Sequence, residues 1–146
     1  YDPATNSWSN AANMPEPRYY LAAAPLNDGR VLVCGGTTGS GARNTAWIYN
    51  PSTNSWSNAT NMPGARERHA AVPLKDGRVL VCGGISTNTA FIYDPATNSW
   101  SNAANMPGSR ESHGAASLGD GRILVCGGWT GSGTRSALIY DPATNI

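Results

Sequence analysis

Tyr1-Asp2-Pro3-Ala4-Thr5-Asn6-Ser7-Trp8-Ser9 opens the chain and returns almost unchanged as Tyr49 to Ser57 and Tyr93 to Ser101, then starts again at Tyr140-Asp141-Pro142-Ala143-Thr144-Asn145. Between successive copies stands a second marker, Val33-Cys34-Gly35-Gly36, Val81-Cys82-Gly83-Gly84 and Val125-Cys126-Gly127-Gly128. The chain is therefore an array, and each unit joins a double glycine to a downstream Tyr and Trp. The tyrosines Tyr1, Tyr49, Tyr93 and Tyr140 are 48, 44 and 47 residues apart. All of that variation lies in one loop, from Gly36 to Ala46, Gly84 to Ala90 and Gly128 to Ala137. A loop that changes length while everything else keeps register is surface that packing does not constrain, and binding is usually placed there.

Within a unit the pattern is that of strands. Residues 20 to 26 are small and apolar, Asn27-Asp28-Gly29-Arg30 is a hairpin turn, and residues 30 to 34 form a β-branched run. After the variable loop come a third strand over 45 to 49, a turn at Asn50-Pro51 in which Thr53-Asn54 takes the left-handed position, and a fourth strand over 55 to 59. Gly, Pro and Asn interrupt every window of helical apolar spacing, so the expectation is an all-β chain with four antiparallel strands per unit.

Composition narrows the function classes. The 146 residues carry a net charge of +1 and only 13% charged side chains, which offers no electrostatic basis for binding nucleic acid or an anionic membrane. No apolar run reaches the roughly 18 to 20 residues of a membrane span. The three cysteines occupy one equivalent position per unit, the pattern of a small buried strand residue rather than of a disulfide framework or a metal site. No cofactor, metal or compartment follows from them.

The double glycines Gly35-Gly36, Gly83-Gly84 and Gly127-Gly128, the tyrosines Tyr49, Tyr93 and Tyr140, and the tryptophans Trp8, Trp56 and Trp100, all in register, resemble the kelch repeat, one blade of a β-propeller. The resemblance covers the whole chain. It implies that first strands line a central channel, that the glycines end second strands where backbones crowd, and that Tyr and Trp pack between blades. A blade with two apolar faces buries them only against its neighbours, so one blade alone is not expected to fold.

Three blades do not close a ring, since propellers have roughly four to eight. Residues 1–15 supply a fourth strand over 7 to 11 without a blade of its own, residues 16–63 and 64–107 are whole blades, and residues 108–146 carry strands one to three of a last blade. A homodimer in which the Trp8 strand of each copy completes the other's last blade makes a six-bladed ring. Near-identity of the blades and the absence of an initiating Met are features of a designed protein or of a piece excised from an amplified array.

For chemistry the residues are few. His69 and His113 stand at equivalent positions, with Leu21 in the first blade, and are expected to be structural. Most carboxylates sit in turns, namely Asp28, Asp76 and Asp120 beside glycine and Asp2, Asp94 and Asp141 before proline, where Asx interactions account for them. The expectation is a non-catalytic scaffold and interaction module. The alternative is a sugar-active or sugar-binding protein, because the kelch family includes a copper oxidase and sugar isomerases. The resemblance places a binding face at the loops into strand one and before strand three. There Arg18, Arg66, Arg68, Arg110, Asn44, Asn88 and Arg135, with Tyr20 and Trp129, are the candidates for an acidic peptide or a saccharide, arginine being suited to carboxylates by its planar fork.

Overall fold

A computed structural model describes residues 1–146 and contains strands but no helix. The first sheet comprises β1 (Ala22–Pro25), β2 (Val31–Cys34), β3 (Ala46–Asn50) and β4 (Ser55–Ala59), and the second β5 (Ala70–Pro73), β6 (Val79–Cys82), β7 (Ala90–Asp94) and β8 (Ser99–Ala103). The third sheet has three strands, β9 (Gly114–Ser117), β10 (Ile123–Cys126) and β11 (Ala137–Tyr140). Every pairing is antiparallel between strands consecutive in the chain, so each sheet is a meander. First strands neighbour one another, β1 beside β5 and β5 beside β9, which gathers them on the inner side of the array.

The hairpins form for local reasons. Gly29 adopts φ 85°, its N–H donates to the Leu26 carbonyl at 3.0 Å, and the Leu26 N–H donates to the Arg30 carbonyl at 2.8 Å. This is a turn followed by a left-handed residue, a conformation that glycine adopts without steric cost. Asp28 accepts from the Arg30 backbone at 3.0 Å and pairs with its guanidinium at 2.7 Å, and the same arrangement recurs at Asp76 with Arg78 and Asp120 with Arg122. The second turn of the unit places Asn54 and Asn98 at φ 48° and 50°, as expected from the sequence.

Packing is between sheets. Alternation along β6 turns Val79 and Val81 toward the first sheet and Leu80 and Cys82 toward the third, and all four are buried. One apolar cluster joins Leu32, Ile48 and Met62 to Val79, Val81 and Tyr93, with Trp100 against it. A second joins Leu80, Ile92 and Met106 to Ile123 and Val125. The middle sheet is thus covered on both faces.

The outer edges of the chain differ from the expectation of uniform blades. Ser7–Ala11 forms no strand and pairs with none of β1 to β11, and Trp8 is 84% exposed. Cys34 and Cys82 are buried whereas Cys126 is exposed, since no sheet covers the far face of β10.

A clasp invisible in the hydrophobic pattern ties the outer strands together. Asn98 Oδ1 accepts from Tyr93 Oη at 2.9 Å and from the backbone N–H of Thr60 in the preceding blade at 2.9 Å. The Trp100 indole N–H donates to the Thr60 carbonyl at 2.7 Å. Tyr49, Asn54 and Trp56 hold Ala12 in the same way. Trp100→Ala should therefore lower stability by about 3 kcal/mol and Asn98→Ala by about 1 to 2 kcal/mol, read from urea midpoints at constant slope. Losses of a few tenths would show that the outer strands contribute little to the joint.

Candidate interaction surface

The loops into the first strands meet the double-glycine loops at one end of the sheets. Tyr19 exchanges two backbone hydrogen bonds with Thr37, at 3.1 and 2.9 Å, and Glu111 exchanges two with Trp129, at 3.1 and 2.8 Å. Each short bridge is followed by a residue in the left-handed region, Tyr20 at φ 56° and Ser112 at 53°, with Arg68 at 57° in the middle blade. The left-handed turn points these groups along the array. The Arg68 N–H donates to the Tyr20 carbonyl at 3.0 Å and the Ser112 N–H to the Arg68 carbonyl at 2.8 Å, so a backbone chain crosses all three blades.

On that chain lies a strip of side chains. The Arg68 guanidinium stacks 4.4 Å above the Tyr20 ring and pairs with Glu111 Oε1 at 3.1 Å. Cation over ring and cation beside carboxylate both hold Arg68 in place while leaving its side chain 36% exposed. Tyr19, Tyr20, Ile85 and Trp129 are large exposed hydrophobic groups on the same loops. Arg68, Glu111, Ser112, Gly128 and Trp129 line one shallow groove.

The other sequence candidates have internal duties. Arg66 is buried and donates to the Gly83 carbonyl at 2.9 Å, the Thr89 carbonyl at 3.1 Å and Thr89 Oγ1 at 3.0 Å, with the Phe91 ring 4.7 Å away. Arg18, whose side chain has no exposed surface, reaches the Gly35 carbonyl, Thr45 Oγ1 and Glu16 and stacks on Trp47. Arg110 is buried and repeats the pattern with the Gly127 and Ser136 carbonyls and Ser136 Oγ. These arginines staple the loop into strand one onto the ends of strands two and three. Asn44 and Asn88 donate to the carbonyls of Met62 and Met106 at 3.3 and 2.8 Å. Of the sequence candidates, Tyr20, Arg68, Trp129 and the exposed Arg135 remain available to a partner.

The histidines are structural neighbours of the cysteines. His69 Nε2 lies 3.7 Å from Cys34 Sγ of the preceding blade, and His113 Nε2 lies 3.6 Å from Cys82 Sγ. Burial, with Arg66 adding repulsion, pushes the His69 imidazole down to about 3, and burial with Arg110 lowers His113. Burial likewise pushes the Cys34 thiol up to about 12 and Cys82 to about 11, so both pairs are neutral at pH 7.

Two measurements check these roles. Arg66→Ala removes three hydrogen bonds and leaves the Gly83 carbonyl without a partner, while Thr89 keeps the Gly83 N–H and the Thr87 hydroxyl; it should cost about 2 to 3 kcal/mol of stability, seen as a fall in melting temperature. For His69, the unfolded ring binds a proton below about 6.5 while the folded ring stays neutral down to about 3. Its contribution is therefore complete above pH 6.5 and declines as pH falls, by up to about 1.4 kcal/mol per pH unit for each such histidine. Urea midpoints should drop between pH 6.5 and 4.5, and His69→Leu should flatten that slope. A flat wild-type profile would show that the ring is protonated in place.

The KLHDC2/KLHL20/DRC7 Kelch-repeats domain family matches residues 1–128, and the Kelch motif matches residues 112–146. Among curated proteins none matches.

Proposed function

Since the chain belongs to the kelch-repeat family, whose propellers serve protein interaction, we propose that it works as a non-catalytic interaction module whose loop face receives a peptide. The observation that carries the reading is the Tyr20, Arg68 and Glu111 strip, a fixed cation on a rigid backbone chain, flanked by the exposed rings of Tyr19 and Trp129. A planar guanidinium stacked on one aromatic ring, with the exposed Trp129 in the same groove, suits a segment that brings one carboxylate to Arg68 and one apolar side chain to Trp129. The partner carboxylate takes over the bond now made by Glu111. Because the buried arginines bind internal carbonyls, affinity rests on one exposed ion pair plus apolar area, and charge alone does not suffice.

The test is a peptide-display selection on the purified chain, followed by titration of the selected peptides. Arg68→Ala and Trp129→Ala should each weaken binding about tenfold or more with the melting temperature held. Raising salt above 0.1 M, where the screening length is about 10 Å, should weaken it further. Peptides that bind equally well to both variants would place the binding surface elsewhere.

A further inference from the structure

The residue after each double glycine has a different environment in each blade. We propose that Ile85 and Trp129, at two of these positions, grip one large apolar side chain of an extended peptide whose acidic residue, two positions along, pairs with Arg68. The pocket deepens the peptide reading of the loop face and rests on it. In the first blade the loop folds over the equivalent residue, Thr37, which is 4% exposed. Its backbone bridges to Ala42, its hydroxyl donates to the Gly41 carbonyl at 2.9 Å, and the same oxygen accepts from the Gly39 N–H at 3.1 Å. The middle loop is too short for this, with six positions from Gly84 to Ala90 against ten from Gly36 to Ala46 and nine from Gly128 to Ala137. Ile85 therefore stands 45% exposed, and Trp129, whose backbone bridges to Gly133, stands 52% exposed.

A groove of about 410 Å³ is lined by both residues together with Ser86, Ser109, Glu111 and Thr130. That volume falls in the range of about 300 to 1,000 Å³ usual for ligand sites. Its walls come from the second and third blades, whose joint the chain contains whole. Glu111 and Trp129 also line the shallow groove that holds Arg68, so the two grooves share one wall. In an extended segment the nearest residues that point the same way are i and i+2. An acid at one of these positions and an apolar residue at the other straddle the wall, and the hydroxyls of Ser86, Ser109 and Thr130 can bond the peptide backbone between and beyond them.

Charge sets the sign of the partner. The loops into the first strands and those after the double glycines carry six arginines against three glutamates, whereas the remaining side chains carry four cations against six carboxylates. An acidic segment is therefore drawn to this face rather than to the rest of the surface. The ion pair at Arg68 is exposed and contributes little by itself, so discrimination falls to the apolar anchor, which is covered from two sides and leaves water when it docks. At the preceding joint the matching residues are Thr37 and Ile85, and the buried Thr37 offers no apolar wall there. The single short loop thus makes one joint of the array selective for a large apolar side chain.

The experiment selects a displayed library of random heptapeptides on the full chain, on Ile85→Ser and on Arg68→Ala. The expected wild-type consensus is Asp or Glu two positions from a large apolar residue. Selection on Ile85→Ser should lose the apolar preference and keep the acid, and selection on Arg68→Ala should do the reverse. The synthetic consensus peptide should bind Ile85→Ser about tenfold more weakly than the wild type, with the melting temperature held because Ile85 is exposed. Replacing the peptide's apolar residue by Ala should weaken binding to the wild type by a similar factor and add no further loss on Ile85→Ser, the signature of direct contact. A consensus with an acid but no apolar residue at fixed spacing, or losses that simply add, would overturn the pocket while leaving the peptide reading of Arg68 intact. No enrichment on the wild type, or a consensus peptide that binds Arg68→Ala as tightly, would overturn both.

Discussion

The middle sheet of this chain is apolar on both faces, and each face is covered by a neighbouring sheet. Val79 and Val81 belong to one core cluster and Leu80 and Cys82 to the next, four consecutive buried residues of a single strand divided between two joints. A strand buried on both sides has no solvent-facing register, so its position is set by the sheets around it. The joint between blades is consequently the unit of stability, as in other repeat arrays, where intrinsic and nearest-neighbour terms add.

The polar elements serve that joint as well. A buried guanidinium is tolerated because carbonyls and hydroxyls converge on it and an aromatic face lies beneath it, as at Arg66 with Gly83, Thr89 and Phe91. The double glycine lets the second strand end against the next blade's backbone, which any side chain at Gly83 would strike at the Arg110 carbonyl. The neutral histidine and cysteine pairs fill the same crowded level. Stapling the arginines inward leaves Arg68 as the cation that both touches Tyr20 and faces solvent, so rigidity of the scaffold and the sparse charge of the loop face have one origin.

By itself the sequence determined the repeat, the all-β class, the four strands of a unit, the hairpin and Asn turns and the membership of the kelch family. Those features follow from local signals, namely alternation, glycine and asparagine at left-handed positions and the spacing of identical markers, and local signals survive in one dimension. The exposed loop positions Tyr20 and Trp129 were legible for the same reason, because the loop that changes length is visible in the spacing. Tertiary structure alone decided which cations are free. Arg18, Arg66, Arg68 and Arg110 look alike beside their strands, and the difference is whether carbonyls from residues 17 to 26 positions away close around the head group, as they do for Arg66 and Arg110, or a neighbouring blade offers a ring and a carboxylate, as for Arg68. It also decided that Asn98 clasps Thr60 across 38 residues and that Trp8 and Cys126 stand exposed while their repeats are covered. Repeated residues have identical sequence surroundings, and what separates them is the presence or absence of the next sheet, a property of packing that no single copy of the motif contains.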